Sequence, residues 1–329
     1  MRVGVLGAGS IGCYVGGRLA ASGVEVVLVG RPRLAEAVAA GGLELTRSGA
    51  ESVRLSPDAI EVATDPSALS DCDVVAVCVK SRDTREAARQ ARPHLREGAL
   101  VASLQNGVRN APTLREELPD VAVSAGMVPF NVLWTDGPRF HQGTTGPICL
   151  ERSAEVLVDA LRGAGVQART HGDLPGLLWG KLLINLNNAV NALAGIPLRE
   201  QLGQRAYREL MASLIDEAAA VLAHAGEKPV GLGPMQPWLV PKVLRMPDGV
   251  YGVIADLLVK VDPEARSSMW EDLQRGRLTE IDFINGEVLA LAEEHGLDAP
   301  LNRAVVGHIR AAEAAEEGSP GLSAEQIGG

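Results

Sequence analysis

Met1-Arg2-Val3-Gly4-Val5-Leu6-Gly7-Ala8-Gly9-Ser10-Ile11-Gly12 opens the chain, and its reading decides the fold. An apolar run (Val3, Val5, Leu6) leads directly into a GxGxxG pattern. In that setting Gly7 permits the tight turn out of a strand, Gly9 lets the backbone approach a pyrophosphate, and Gly12 lets the following helix pack close on the sheet. The amides and positive dipole at the start of that helix then face a dianion. In a chain with 37 glycines the pattern alone means little. Here it lies between a strand over 2–6 and an Ala/Leu-rich helix over 11–22, and a second strand, Glu25-Val26-Val27-Leu28-Val29, closes a βαβ unit of ordinary length. The spacing predicts a dinucleotide held by Gly7, Ala8, Gly9, Ser10, Ile11 and Gly12; the competing reading is a merely tight turn.

The end of the second strand indicates which dinucleotide. An NAD site usually places Asp or Glu there to hold the ribose 2′-hydroxyl, whereas this chain reads Gly30-Arg31-Pro32-Arg33, with no acid until Glu36. That favours NADP(H), whose 2′-phosphate suits guanidinium groups. Solvated surface arginines beside a helix start are the alternative, since Pro32 is also an ordinary first helical residue.

At 329 residues the chain exceeds one ordinary core, so two domains are expected. Strand and helix signals alternate to about residue 170 and helices follow almost alone, with His171-Gly172-Asp173-Leu174-Pro175-Gly176 reading as the linker. The expected division is a Rossmann-type α/β NADP-binding domain over 1–173 and an all-α substrate and catalytic domain over 174–329. A net charge of −10, from 31 basic and 41 acidic residues, argues against nucleic acid or an anionic membrane as partner. No stretch approaches the roughly 20 apolar residues of a membrane span, and the N-terminus lacks a basic n-region or cleavage site. The reading is a cytoplasmic protein acting on a small molecule, with a homodimer left open. Cys13, Cys72, Cys78 and Cys149 show no CxxC spacing and the six histidines no HxxxH or HExxH pairing, so no metal is expected. The absence of a GxSxG elbow and a Walker loop removes the commonest hydrolase and kinase readings.

Within the first domain, the apolar run Val74 to Val79 reads as a central parallel strand and ends on Lys80-Ser81. Leu100 to Leu104 reads as another and ends on Gln105-Asn106-Gly107. Ligands of open α/β sheets gather outside the carboxyl ends of the strands, which places Lys80 and Asn106 where a cofactor's ribose and phosphates would lie; a surface lysine and an Asn-Gly turn are the alternatives. Further strands are expected near 121–128, 139–143, 147–151 and 166–170, with a helix over 154–163. The second domain shows helical patterns over 177–194, 204–225, 248–260, 278–295 and 300–315. The segment 228–247, with five prolines, reads as irregular, and the tail after Glu317 as loosely held.

Two polar constellations stand out in the helical half. Lys181, Asn185 and Asn188 fall at i, i+4 and i+7, so an ammonium and two carboxamides share one stripe, with Leu182, Leu183 and Leu186 on the opposite side. Asparagines are poor helix formers, so the stripe is either an inter-helix network or a site for a small, oxygen-rich ligand. The second is Arg266-Ser267-Ser268-Met269-Trp270, ahead of a helix containing Thr279-Glu280-Ile281-Asp282. Alone, Ser268 would be an N-cap and Glu280 an acid favoured by the helix dipole.

Taken together, these motifs resemble the ketopantoate reductase (2-dehydropantoate 2-reductase) family nearly end to end: the glycine loop, Val79-Lys80, Gln105-Asn106-Gly107, Lys181 with Asn185, Ser267-Ser268-Met269, and Thr279-Glu280-Ile281-Asp282. The resemblance implies NADPH-dependent reduction of 2-dehydropantoate to pantoate, towards pantothenate and coenzyme A. It makes Lys181 the proton donor, Asn106, Asn185 and Ser268 substrate contacts, and the glycine loop, Arg31, Lys80, Asn106 and Glu280 cofactor contacts. One departure concerns the family's second helix asparagine, which falls on Ala189; Asn188 stands one position earlier and is the substitute expected here. Hydride transfer to a ketone leaves an alkoxide, and a lysine partly desolvated between two domains would supply both the cation and the proton. Two other readings keep the fold: a reductase of another branched 2-oxo acid or of an imine, and a non-catalytic NADP-binding regulator, whose natural mark would be loss of Lys181.

Overall fold

The computed structural model describes residues 1–47, 49–135, 137–231, 235–258 and 265–329, with the backbone alone over 254–258. Two compact units emerge, Met1–Leu174 and Pro175–Gly329.

The first unit is built on a six-stranded parallel sheet. Its strands are β1 (Arg2–Leu6), β2 (Glu25–Val29), β5 (Glu61–Ala63), β6 (Val74–Val77), β7 (Leu100–Ser103) and β8 (Ala122–Ser124), in the spatial order β5-β2-β1-β6-β7-β8. Counted within the sheet this is 3-2-1-4-5-6, the doubly wound dinucleotide-binding order, whose direction reverses between β1 and β6. Helices α1 (Ser10–Ala21), α2 (Pro32–Gly41), α3 (Thr84–Ala91), α4 (Asn110–Glu117) and α5 (Glu155–Gly163) complete the layers. The central strands are apolar on both faces because both are covered. Val3, Val5, Val26, Leu28, Val74 and Ala76 join one buried cluster, and Leu6, Val27, Val29, Val75 and Val77 join the other.

Two smaller sheets extend this unit. One runs β10 (Val132–Trp134), β11 (Arg139–Gln142), β3 (Leu43–Arg47), β4 (Val53–Leu55); the other runs β13 (Ala168–Thr170), β12 (Ile148–Leu150), β9 (Gly126–Met127). The single strand expected over 121–128 is therefore two. The chain leaves the main sheet at Ala125, where Glu151 holds the Ala125 amide at 2.9 Å and Gly126 crosses the Ser103 carbonyl so closely that a Cβ would stand 2.4 Å from its oxygen.

The second unit is helical throughout its described residues: α6 (Leu174–Asn185), α7 (Asn187–Ala194), α8 (Leu198–Gly203), α9 (Arg205–His224), α10 (Val240–Leu244), α11 (Asp248–Leu258), α12 (Ser268–Gln274), α13 (Asn285–Glu294), α14 (Pro300–Ala315) and α15 (Ala324–Gly328). The helix expected over 177–194 is divided by one turn residue, Leu186, which keeps helical dihedrals (φ −54°, ψ −30°). The last two residues expected in the 248–260 helix lie outside the described residues. The expected 278–295 helix begins later. Thr279 Oγ1 accepts from the Ile281 amide at 3.1 Å, a local turn that competes with helix, and a 3₁₀ turn over Ile281–Phe283 precedes α13.

Two segments carry more structure among their described residues than their composition suggests. The fully buried Arg208 of α9 donates to the carbonyls of Leu202, Gly203 and Leu244 at 3.0–3.1 Å, pairs with Asp248, and lies 4.3 Å over the Tyr251 ring. It thereby ties α10 and the start of α11 to α9 at the end of the proline-rich stretch. The tail after Glu317 is docked rather than loose. Leu322 donates to Leu193 O at 2.9 Å and accepts from the Tyr207 hydroxyl at 2.8 Å, while a Ser323/Gln326 capping box starts α15, whose Ile327 is fully buried.

Candidate functional site

The glycine loop is shaped by backbone sterics. Gly7 takes φ +97°, and a Cβ there would lie 2.5 Å from the Val79 amide nitrogen; one at Gly12 would lie 2.6 Å from Gly7 O. A Cβ at Gly9 would meet nothing within 4 Å, so open space stands before the loop at that residue. Both Gly7 and Ala8 donate to Val29 O (3.0 and 2.9 Å), and the first helical bond closes from Cys13 N to Gly9 O at 2.8 Å. The first-turn amides of Ser10, Ile11 and Gly12 precede that bond, and no acidic residue occupies the turn, so its positive end is left for an anion. The loop fits a pyrophosphate.

Arg31 sits at the end of β2 as the N-cap of α2, exposed, with Pro32 at the first helical position. The neighbouring Arg33 is turned aside, its guanidinium lying 5.9 Å over the Trp134 ring. The strand expected to run to Val79 stops at Val77, and Lys80, half-buried, lies three residues past it as the N-cap of a 3₁₀ turn (Ser81–Asp83). Asn106, half-buried, lies three residues past β7, so both stand beyond the carboxyl ends of neighbouring central strands, of which β6 borders the point where the strand order reverses.

In the helical unit Lys181 lies on α6, half-buried, directly after Gly180, where a Cβ would stand 1.9 Å from Val230 O. Only a glycine admits that strand of the proline-rich segment, which is also held by Val230 N to Gly176 O at 2.8 Å. Burial pulls the Lys181 pKa down to about 8, against a smaller opposing pull from the Glu280 carboxylate. Asn185 and Asn188 are half-buried, whereas Ala189 is fully buried. Asn187 and Asn191 face into the protein: Gln201 Nε2 donates to Asn187 Oδ1 at 2.7 Å, and the Ser267 amide donates to Asn191 Oδ1 at 2.8 Å. The cap of α12 is Ser267, whose hydroxyl accepts from Trp270 N at 3.2 Å; Ser268, expected to be the cap, is instead the exposed first helical residue. Glu280 is half-buried at the start of the 3₁₀ turn. Among the described residues no group of His, Cys, Asp and Glu is arranged to hold a metal ion, and no helix is long and apolar enough to cross a membrane.

Known proteins resemble this chain over nearly its whole length. The model of "Ketopantoate reductase PanE/ApbA" matches residues 3–155, and that of its C-terminal domain matches residues 173–313. The chain belongs to the ketopantoate reductase family. A 2-dehydropantoate 2-reductase of Halobacterium salinarum is 30% identical over 335 residues, covering 95% of this chain and 99% of the relative. The crystal structure of a PanE/ApbA family ketopantoate reductase from Ralstonia eutropha JMP134 superposes with a TM-score of 0.83 at 32% identity, covering 96% of this chain and 100% of that one. A D-mandelate dehydrogenase solved with NADH and anilino(oxo)acetate shares the fold (TM-score 0.82, 96% and 99% coverage) at 19% identity.

The sequence motifs give no role to the residues that hold the chain after β6 and β7, although Ser81 and Gln105 lie within them. Gln105 Nε2 donates to Val79 O at 3.0 Å and to Thr84 Oγ1 at 2.7 Å, Ser103 donates to Gln105 Oε1 at 3.0 Å, and Thr84 donates to Asn110 Oδ1 at 2.8 Å. Ser81 Oγ donates to Asn106 O at 3.0 Å. These side chains are at most 6% exposed, and together they fix the backbone that carries Lys80 and Asn106. The one signal available beforehand was the run of polar residues immediately after two apolar strands. Cys13, set inside α1, is buried, and burial with the nearby Cys78 thiol pushes its pKa up, as befits a packing residue.

Proposed function

We propose that the protein reduces the ketone of 2-dehydropantoate to the alcohol of pantoate, using NADPH, as a step towards pantothenate and coenzyme A. Family membership supports the reaction type, and one observation carries the chemistry: an ammonium whose pKa is drawn to about 8, on the helix that ends at Asn185 and is followed after one residue by the helix bearing Asn188. When bound, the dinucleotide supplies the hydride that reaches the ketone carbon. Gly7, Ala8, Gly9, Ser10, Ile11 and Gly12 would hold its pyrophosphate, Arg31 its 2′-phosphate, and Lys80, Asn106 and Glu280 its remaining polar groups. The absence of an acid at the end of β2 supports NADPH over NADH.

Lys181 acts at the ketone oxygen. Its ammonium offsets the charge that develops there and then donates the proton, leaving a neutral amine that is tolerable in a site already unfavourable to charge. Asn106, Asn185, Asn188 and Ser268 supply neutral hydrogen bonds to the substrate's carboxylate and hydroxyl groups, fixing which face of the ketone is presented. Glu280 keeps the lysine from losing its proton too early. A protein whose role was to bind NADP without catalysis would have no use for a lysine so placed.

The fold does not choose the substrate, since a D-mandelate dehydrogenase has it too. NADPH oxidation measured across 2-dehydropantoate, other branched 2-oxo acids and aromatic 2-oxo acids decides the matter. The expected result is the highest kcat/KM with 2-dehydropantoate; a preference for another acid by about tenfold or more would move the assignment to that acid while keeping the reaction type.

A further inference from the structure

Behind Lys181, Asn185 and Asn188 lies a set of amides for which the reaction has no use. Asn187, Asn191, Gln201 and Ser267 are all at most 6% exposed. Gln201 joins the two asparagines, donating to Asn187 Oδ1 at 2.7 Å and accepting from Asn191 Nδ2 at 2.9 Å. Asn191 also donates to Ile196 O at 2.9 Å and accepts the Ser267 amide at 2.8 Å. The Ser267 hydroxyl donates to Asn188 O at 2.8 Å, and Leu198 N donates to Ala265 O at 2.9 Å. Residues 265–267 are therefore held at both ends, by the start of α8 and by α7.

Apolar side chains would fill this volume without the cost of burying amides, each of which must be matched to avoid a penalty of about 1–3 kcal/mol. What matched amides add is direction. The two bonds of Ser267, to Asn191 Oδ1 and to Asn188 O, fix its register against α7, the Gln201 bonds tie α8 to α7, and the residue after Ser267 is Ser268. We propose that Asn191 and Ser267 are positioning residues for the oxo-acid site, setting where Ser268 stands relative to Asn185 and Asn188 and thereby the affinity for the oxo acid. The inference rests on the reading that Ser268 and Asn185 contact substrate.

Ser267 is the residue to change, because alanine removes the hydroxyl bonds while leaving the amide bond to Asn191. Parent, Ser267→Ala and Ser267→Thr proteins would be compared in kcat, in KM for 2-dehydropantoate, in NADPH affinity by cofactor fluorescence without oxo acid, and in thermal midpoint. The Ser267→Ala protein should show KM raised about tenfold, kcat changed by less than about threefold and NADPH affinity unchanged, with Thr returning KM to within about twofold of the parent. A lowered thermal midpoint with unchanged KM would overturn the proposal, as would a loss shared equally by NADPH affinity and KM, or a failure of Thr to restore KM. A parent protein that favoured another 2-oxo acid would correct the substrate alone, and the same comparison would be made with that acid. A parent that reduced none would overturn both readings.

Discussion

The glycine loop of the first unit, the nucleotide end, and the polar set of the second unit, the helical end, solve the same problem, holding polar groups in place, by opposite means. At the nucleotide end the chain is placed by what cannot fit: Gly7 at φ +97° against Val79, and Gly12 against the Gly7 carbonyl. At the helical end it is placed by what must be satisfied: Asn187, Asn191, Gln201 and Ser267, whose bonds span up to 79 residues of sequence. Steric placement is local and tolerates no side chain. Polar placement is long-range and tolerates no missing partner. The two ends should therefore fail differently when altered.

The largest effect is expected where the helical end does chemistry. Lys181→Ala should lower turnover by about two to four orders of magnitude while leaving NADPH affinity nearly unchanged, since the lysine acts on the ketone. The pH dependence follows from the pKa near 8. The acid works only while protonated, so kcat/KM should be level below pH 8 and fall as pH rises through about 8, well before an ordinary lysine would titrate. Glu280→Gln removes a carboxylate that holds the proton on, so the fall should move to lower pH. A limb unmoved in the Glu280→Gln protein, or retained in Lys181→Ala, would take Lys181 out of the acid role.

The nucleotide end should separate stability from binding. A Cβ at Gly12 meets the Gly7 carbonyl at 2.6 Å and Val5 Cγ1 at 2.8 Å, so Gly12→Ala should destabilise the protein by about 1–3 kcal/mol in denaturant unfolding. At Gly9 the Cβ meets nothing, so Gly9→Ala should leave unfolding unchanged and weaken NADPH by about tenfold or more, because the methyl occupies the approach of the pyrophosphate. Equal affinities for NADPH in parent and Gly9→Ala proteins would remove the pyrophosphate from that face of the loop.

This contrast also explains what could be read from the sequence. The glycine loop and the run of parallel strands were legible because each depends on residues a few positions apart. The stripe Lys181, Asn185, Asn188 was visible as a periodicity that leaves Asn187 off it, but the partner of Asn187, Gln201, lies fourteen residues on and was not. Ser268 was read as the N-cap, but Ser267 satisfies the same rule and takes the place, held there by Asn188 and Asn191. The polar residues behind Lys80 and Asn106 went unread for the same reason. The tail misled because its polar composition hides Leu322 and Ile327, which dock on α7 and α9.

A smaller effect is expected at the end of β2. Because Arg33 lies over Trp134, Arg31 is the guanidinium left at the strand end for a 2′-phosphate. Arg31→Ala should erode the preference for NADPH over NADH by about 1–3 kcal/mol, and Arg33→Ala by less. Cofactor affinities of the three proteins decide it; a parent that binds NADPH and NADH equally would reject the assignment, and a larger loss at Arg33 would exchange the two roles.

The smallest and most discriminating effect concerns the two neighbouring asparagines. On a helix turning 100° per residue, position 188 projects about 20° from the direction of Lys181 and position 189 about 80° from it. The burial agrees: Asn188 keeps part of its surface while Ala189 has none. Asn188→Ala should therefore raise KM for the oxo acid a few-fold, roughly the worth of one neutral hydrogen bond, and leave unfolding unchanged, because the bond from Ser267 goes to its backbone carbonyl. Asn187→Ala should do the reverse. It strands the buried amide of Gln201, which costs about 1–3 kcal/mol of stability, and it leaves KM near the parent value. Measuring both quantities on both proteins separates a ligand contact from a packing contact at adjacent positions. If Asn188→Ala lost stability without a change in KM, Asn188 would join Asn187 among the packing residues, and Asn185 would be the one carboxamide of this helix left to meet the substrate.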